Sequence, residues 1–241
     1  PEIIFSTFGY VNLAVLAMRR LLPGRPRVVI REPNTPSRSL PGLNHTNLLR
    51  LGYRLLYRYA DLVICQSSLI GSELVRDFGV QRDRIAHLAN PVDVGAIRKA
   101  AVSLDRFEGP GPRFVAAGQL THQKGFDRLL PVFARLVRSH PDWHLVLLGE
   151  GEERTRLEGQ VRELGLQHHV SLPGWVADVE GSLSQSELFV LPSRYEGFGN
   201  VVAEALACGV PVVPLDCPSG PGEIVRDEID GLVVPADDLE G

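Results

Sequence analysis

Short segments rich in Val, Ile and Leu recur along the chain and alternate with longer stretches of helical periodicity. Buried parallel strands read as nearly continuous apolar runs, and their alternation with helices is typical of parallel sheets covered on both faces. The pattern therefore predicts an α/β protein. Nine strands are predicted, with the sequences EIIFS, RVVI, DLVIC, RIAHLA, RFVAAG, HLVLLG, ELFVLP, VPVVPL and GLVVP.

Six helices are predicted between these strands, because apolar residues recur there at helical spacing. Pro131 falls inside one of them and is expected to kink that helix or to delay its start, since proline lacks a backbone N–H. The predicted helices cover residues 10–22, 44–59, 68–78, 126–138, 154–164 and 200–208.

The elements fall into two groups separated by a segment in which no strand fits. This segment, residues 94–112, ends in the turn-forming sequence GPGP. We therefore expect two Rossmann-like domains, at 1–93 and 113–241, joined by a linker at 94–112. The chain begins with Pro1 rather than Met and ends at Gly241 in a charged turn, so both ends are expected to be truncated.

Charge and cysteine content indicate the kind of partner and the cellular compartment of the protein. Residues 1–93 carry twelve arginines, no lysine and seven acidic side chains, whereas the rest of the chain is acidic, giving a net charge of −4 overall. A basic half indicates an anionic partner. Isolated cysteines at 65, 208 and 217 fit neither a disulfide framework nor a metal site and suit a reducing cytoplasm. No apolar run is long enough for a transmembrane helix.

Three loops follow predicted strands of the second domain, where open α/β sheets bind ligands. The first runs from Gly118 to Gly125 and contains Lys124, which would supply a positive charge to a phosphate. The second is LGEGEE, residues 148–153. The third is EGFGN, residues 196–200, at the start of a predicted helix.

The helix after the third loop has an expected cap at each end and a carboxylate inside. Asn200 is expected to be the N-cap and Gly209 the C′ residue. Free N–H groups at the helix start favour an anion, and Glu204 lies about one turn in. A carboxylate that binds ribose hydroxyls beside a phosphate site is typical of nucleotide binding.

Several motifs in order resemble one family. PSRYEGFGNVVAEALACGVPVV resembles the Glu-x7-Glu signature of retaining GT-B glycosyltransferases of the family 4 type, which includes bacterial polysaccharide and lipid-glycan enzymes. GQLTHQKGFDRLL resembles that family's first phosphate loop, and HHVSLPGW its nucleobase-side strand. Gln119 departs from the family, which usually has Arg there. The resemblance implies the GT-B fold, with two parallel sheets facing across a cleft.

The resemblance also assigns roles. Lys124 would bind the diphosphate and Glu196 the donor-sugar hydroxyls, and these are the two expected catalytic residues. Glu204 would bind the ribose. Trp175 and Phe198 are expected to be packing residues rather than stacking platforms. The expected donor-binding residues are Gly118, Gln119, Lys124, Ser171, Leu172, Glu196, Gly197, Phe198, Gly199, Asn200 and Glu204.

The expected activity is metal-independent and needs no cofactor. A retaining enzyme would move a hexose or N-acetylhexosamine from a nucleotide sugar, expected to be UDP-linked, to a lipid-linked or growing glycan. Two alternatives stay open, a non-catalytic sugar-nucleotide binding module and a GT-B UDP-sugar epimerase. The Glu-x7-Glu arrangement argues against the epimerase, and Gln119 leaves the binding module open.

One further stretch, LLRLGYRLLYRYAD, places Arg50, Arg54 and Arg58 along one helix stripe. It is read either as a helix packed on the sheet with solvated arginines, or as a basic amphipathic surface that contacts anionic lipid. The second reading adds an anionic membrane surface to the partners. The protein would then be cytoplasmic and peripheral at the inner face of the plasma membrane, with no nucleic-acid partner expected.

Overall fold

The computed structural model describes residues 1–42, 45–101 and 111–236. The chain divides into two compact units. The first comprises Pro1–Asn90 with Glu196–Phe198, and the second comprises Pro91–Tyr195 with Gly199–Gly241. Part of the expected linker, residues 102–110, and the end of the second expected domain lie outside the described residues.

The first unit is a parallel sheet of four strands in the order β1-β2-β3-β4. Alternate residues of β2 and β3, such as Val28, Ile30 and Val63, are fully buried against the helices. The strands are β1 (Ile3–Thr7), β2 (Arg27–Glu32), β3 (Leu62–Cys65) and β4 (Ile85–His87), and the helices are α1 (Gly9–Met18), α2 (Pro36–Ser39), α3 (Thr46–Leu56) and α4 (Ser68–Phe78).

The second unit is a parallel sheet of six strands in the order β10-β9-β8-β5-β6-β7. Its apolar residues form two clusters, because alternate residues of each strand point to opposite faces. The strands are β5 (Arg113–Ala117), β6 (His144–Leu148), β7 (Val170–Gly174), β8 (Leu188–Leu191), β9 (Val212–Asp216) and β10 (Val234–Pro235). The helices are α5 (Val94–Ala101), α6 (Phe126–Ser139), α7 (Arg154–Glu163), α8 (Val179–Leu183), α9 (Asn200–Ala207) and α10 (Pro221–Ile224).

The strand order of the second sheet positions a binding site. The chain builds outward from β5 through β6 to β7, then returns to the other side of β5 with β8 and continues outward to β10. Loops that leave β5 and β8 therefore diverge at the carboxyl edge of the sheet. A crevice at such a reversal of strand order is where open α/β sheets bind ligands.

The predicted elements agree with the structure to within a few residues, but the apolar pattern did not predict four of the helices, α2, α5, α8 and α10, or strand β7. The helix expected from Asn44, which lies outside the described residues, begins at Thr46. Strand β7 was absent from the apolar pattern and was indicated only by the resemblance, because Ser171 and Pro173 interrupt its apolar run. Helix α5 occupies part of the expected linker.

Pro131 does not delay the start of α6, which begins at Phe126. Proline cannot donate to the carbonyl four residues earlier, so the carbonyl of Asp127 loses its helical partner. The side-chain amide of Gln160, on α7, donates to that carbonyl at 2.9 Å. The neighbouring helix thus replaces the hydrogen bond that proline removes.

A buried polar cluster lies at the end of β2 in the first unit. The hydroxyls of Tyr53 and Tyr57 donate to the carboxylate of Glu32 at 3.0 and 2.5 Å, and the two rings stack with centroids 4.1 Å apart. Burial raises the pKa of Glu32 to about 7, although the hydrogen bonds from the tyrosines act in the opposite direction. Glu32 is therefore a titrating group inside the core of this unit.

Candidate functional site

The loop after β5 brings two of the expected donor-binding residues together. Gly118 has a positive φ of 153°, and a Cβ built on it would lie 3.0 Å from Cε of Lys124. The aliphatic part of Lys124 therefore runs across the backbone of Gly118. A turn of 3-10 helix at His122–Lys124 and a left-handed Gly125 complete the loop and lead into α6. Gln119 and His122 are exposed.

The loop after β6 packs directly against the loop after β5. A Cβ on Gly149 would lie 2.0 Å from the carbonyl oxygen of Gly118, and a Cβ on Gly151 would lie 2.3 Å from that of Leu120. Only glycine allows backbones to approach this closely. Two hydrogen bonds join the strand end and the loops, from Gly118 N to the Leu148 carbonyl at 2.9 Å and from Leu120 N to the Glu150 carbonyl at 2.8 Å.

An apolar cavity of about 330 Å³ opens at the ends of β5 and β6. Gly118 and Gln119 form one side of it, and Trp175 and Val176, which follow β7, form another. Trp175 is 73% exposed, so the expectation that it is a packing residue is wrong. An indole that faces a cavity can stack on a planar ring.

Ser171 and Leu172 do not line this cavity. Ser171 is exposed within β7, and Leu172 packs against the core while its carbonyl accepts a hydrogen bond from Arg154 at 2.8 Å. Both residues precede the carboxyl end of the strand, where Trp175 lies. Applying the carboxyl-end rule to this strand would have found Trp175 from the sequence.

Helix α9 begins at Asn200, and the cap position is Gly199, with φ 87° and no side-chain cap bond. The expectation that Asn200 is the N-cap is therefore wrong by one residue, because Gly199 adopts the left-handed conformation and Asn200 is already helical. At the other end the prediction is confirmed. Gly209 has φ 79° and donates to Leu206, and Val210 donates to Ala205, which together form a Schellman motif.

Glu204, on α9, faces a second cavity of about 360 Å³, which Asn200, Glu180 and Asp93 also line. Burial raises the pKa of Glu204, and the nearby carboxylate of Glu180 raises it further. Carboxylate oxygens accept hydrogen bonds, so this cavity suits a ligand that presents hydroxyl donors.

The structure groups Glu196, Gly197 and Phe198 with the first unit, and not with Lys124 and Glu204. The carboxylate residue Glu196 is buried, Gly197 is buried, and Phe198 is half-buried. Of the expected donor-binding residues, the second unit thus holds those of the phosphate loop, of β7 and of α9.

Arg194 joins the loop before α9 to the loop before α6, and sequence reasoning missed it. Its guanidinium donates to both carboxylate oxygens of Asp127 at 2.8 Å and to the carbonyl of His122 at 2.8 Å. Its backbone N donates to the carbonyl of Gln123 at 2.8 Å. The hydrogen bond from Arg194 lowers the pKa of Asp127. Arg194 is therefore a positioning residue for the loop that carries Lys124.

Among the described residues no group of three or more His, Cys, Asp or Glu side chains could hold a metal ion. Within the same residues no helix is both long and apolar enough to cross a membrane.

The chain is similar in sequence to known proteins. A relative in Campylobacter jejuni, N-acetylgalactosamine-N,N'-diacetylbacillosaminyl-diphospho-undecaprenol 4-alpha-N-acetylgalactosaminyltransferase, is 31% identical over 97% of this chain and 64% of its own length. The lipopolysaccharide core biosynthesis glycosyltransferase LpsE of Rhizobium meliloti is 35% identical over 80% of this chain and 54% of its own length. The chain thus spans less than two thirds of each relative.

The fold agrees with solved structures. The UDP complex of HepE from Anabaena matches with a TM-score of 0.80 at 22% identity, over 99% of this chain and 66% of that one. The outer core galactosyltransferase WaaB matches with a TM-score of 0.74 at 23% identity, over 99% of this chain and 63% of that one. The fold class is α/β of the GT-B type. Since the family model for glycosyl transferases group 1 matches residues 105–240, the chain belongs to that family.

Proposed function

We propose that the protein is a retaining glycosyltransferase that moves a hexose or N-acetylhexosamine from a UDP-sugar to a lipid-linked or growing glycan. The observation that carries the proposal is the placement of Lys124 across Gly118, beside the cavity that Trp175 lines. A cation and an exposed indole at the carboxyl edge of the sheet suit a diphosphate joined to a planar base. By its name, the Campylobacter jejuni relative acts on a diphospho-undecaprenol glycan, and this supports the acceptor class proposed for this chain.

Each side chain has a role in this proposal. Lys124 holds the diphosphate, Glu204 accepts hydrogen bonds from the ribose hydroxyls, and Glu196 accepts them from the donor sugar. Trp175 stacks on the base, in place of the backbone of Ser171 and Leu172 that the resemblance assigned. Gly199 and Asn200 lie at the start of α9, where the positive end of the helix dipole favours the diphosphate.

The proposed reaction exchanges one bond at the anomeric carbon. The bond from that carbon to the diphosphate oxygen breaks, and a bond from an acceptor hydroxyl oxygen forms on the same face of the sugar. The acceptor proton passes to an oxygen of the leaving diphosphate. Lys124 stabilises the negative charge that grows on the diphosphate, which lowers the transition state more than the ground state.

The proposed reaction uses no metal and no cofactor, since Lys124 and the N-terminus of α9 supply the positive charge. We expect full turnover in the presence of EDTA, measured against the same preparation without chelator. A loss of turnover that Mg²⁺ or Mn²⁺ restores would contradict this part of the proposal.

We also propose peripheral contact of the protein with the inner face of the plasma membrane. Helix α3 exposes a leucine stripe, since Leu48, Leu51 and Leu55 are 67, 50 and 48% exposed. The exposed arginines 50, 54 and 58 run beside it. Leucines next to arginines on an exposed helix suit the interface of an anionic membrane.

The test of the function is product analysis of the full-length protein incubated with radiolabelled UDP-sugars and a polyprenyl-linked glycan acceptor. Label transferred to the acceptor, with the anomeric configuration of the donor retained by NMR, is the expected result. Label in an epimerised UDP-sugar indicates an epimerase. Bound donor that is recovered unchanged indicates a binding module.

A further inference from the structure

A cavity of about 660 Å³ lies in the first unit, at the opposite edge of the sheet from the loops that follow the strands. It is bounded by the end of α1, by the segment just before β2 and by Tyr59, just before β3. Three of its lining residues are arginines, Arg19, Arg20 and Arg25. This concentration of guanidinium groups is separate from the donor site.

Two of these arginines have charge to offer a ligand. Arg19 forms an ion pair with Asp61 at 2.7 Å, and this carboxylate offsets the charge of Arg19. Among the described residues Arg20 and Arg25 enter no ion pair. The guanidinium of Arg20 lies 6.0 Å from the centre of the Tyr59 ring, which holds it by a cation–π contact at the cavity wall.

The backbone at Arg25 is strained. Its φ is 46°, in the left-handed region that residues other than glycine rarely adopt, and the residue directly precedes Pro26. A residue before proline favours an extended conformation. Strain of this kind concentrates at sites where a ligand binds.

Apolar side chains lie beside these arginines. Leu16 and Leu56 line it. Met18 and Leu21, which flank the lining arginines in the sequence, are 50 and 83% exposed. A free phosphate would gain nothing from these groups, whereas the glycerol and acyl carbons of a lipid would bury them.

We propose that this cavity binds the phosphate group of an anionic membrane lipid. Arg20 and Arg25 donate paired hydrogen bonds to the phosphate oxygens, since the guanidinium fork matches phosphate geometry. Met18 and Leu21 contact the apolar part of the same lipid. The site deepens the membrane contact proposed above, and it rests on that proposal for the identity of the partner.

The experiment is co-sedimentation of the full-length protein with vesicles of phosphatidylcholine alone or with phosphatidylglycerol added. The variants are Arg20→Gln/Arg25→Gln, which removes two charges, and Ala17→Phe, which fills the cavity and keeps the charges, since Ala17 is an exposed lining residue. The control is Arg138→Gln/Arg162→Gln, with the same charge change on exposed helix positions of the second unit.

We expect the double arginine variant to bind phosphatidylglycerol vesicles about 25-fold more weakly, because each arginine near an anionic surface contributes roughly fivefold. Ala17→Phe should also weaken binding, and the control should bind like the parent. UDP affinity should stay unchanged in all variants. If the parent does not bind UDP, the proposed donor site is wrong, and that result is independent of the vesicle measurements.

Three results would overturn the inference. One is equal vesicle binding by the parent and the double arginine variant. Another is undiminished binding by Ala17→Phe, which would indicate a diffuse charge effect without a pocket. The third is protection of the parent by inorganic phosphate, seen as a higher melting temperature, without any affinity for phosphatidylglycerol vesicles.

Discussion

Replacing Arg194 with Ala should loosen the loop that carries Lys124. The change removes two hydrogen bonds to the carboxylate of Asp127 and one to the carbonyl of His122, all at 2.8 Å. The two side chains are 24 and 13% exposed, so solvent screens the pair only in part. Asp127 would keep one weak contact, to Arg156 at 3.4 Å.

The size of the effect follows from these contacts. A hydrogen bond to a charged group contributes roughly 1.5–3 kcal/mol, and an exposed ion pair about 0–1 kcal/mol. The Arg194 contacts act as one unit, so we expect a loss of about 2–3 kcal/mol rather than their sum. For a chain of this size this lowers the melting temperature by roughly 4–12 °C.

The pH dependence of this loss in stability tests whether Asp127 is the side chain that Arg194 stabilises. The pKa of Asp127 is lowered in the folded state, chiefly by the hydrogen bond from Arg194. A carboxyl with a lowered pKa stabilises the fold above its unfolded pKa, near 4, and loses that contribution as pH falls through the lowered value. The difference between parent and Arg194→Ala should therefore shrink below about pH 4.

The assay is thermal unfolding and UDP titration calorimetry on the same preparations, with Arg138→Ala as the control for loss of an exposed arginine on α6. A cycle with Asp127→Asn measures the coupling between the two side chains. UDP affinity should fall in Arg194→Ala and stay unchanged in Arg138→Ala. If Arg194→Ala melts and binds UDP like the parent, backbone contacts alone hold the loops and the positioning role is wrong.

Four other predictions concern single side chains. Lys124→Ala should reduce kcat by about 10²–10³ with little change in melting temperature. The control Lys99→Ala, which removes the only other lysine, should turn over normally. If Lys124→Ala turns over within a few-fold of the parent, the phosphate role of Lys124 is wrong. Glu204→Gln should raise the Kd for UDP while the fold is kept, because a neutral acceptor replaces a charged one; an unchanged Kd would make Glu204 structural. Trp175→Ala should weaken UDP binding by roughly 5–150-fold, the usual range for a base stacked on an aromatic ring, and equal affinity for UDP and ribose 5-phosphate in the parent would argue against stacking. Because the pKa of Glu32 is raised to about 7, the parent should lose stability as pH rises from about 4.5 to about 7, and Glu32→Gln should remove that slope in unfolding curves.

Local patterns sufficed for much of the fold. The strands RVVI and HLVLLG are buried apolar runs, and the stop signal at Gly209 depends only on its left-handed conformation. These features are encoded within a few neighbouring residues, so the sequence predicts them directly.

Periodicity does not reveal other features of the site, and one of them depends on a contact between distant residues. Arg194 and Asp127 lie 67 residues apart in sequence. Trp175 is an apolar residue that resembles a core residue until its place beyond the end of β7 is known. Asn200 carries a typical cap side chain, yet the left-handed turn at Gly199 takes the cap position.

The proline within α6 changes how that helix is held. Since Pro131 leaves the Asp127 carbonyl open, Gln160 of α7 occupies it, while Arg194 holds the carboxylate of the same residue. One residue at the start of α6 is thus clamped from two directions, by a neighbouring helix and by a loop. If α6 made all of its own backbone hydrogen bonds, the Asp127 carbonyl would be occupied within the helix and could not accept a hydrogen bond from α7. Through Asp127 the first turn of α6 is thus attached to α7 and to the loop before α9. The loop that leads into α6 is held in place by these contacts.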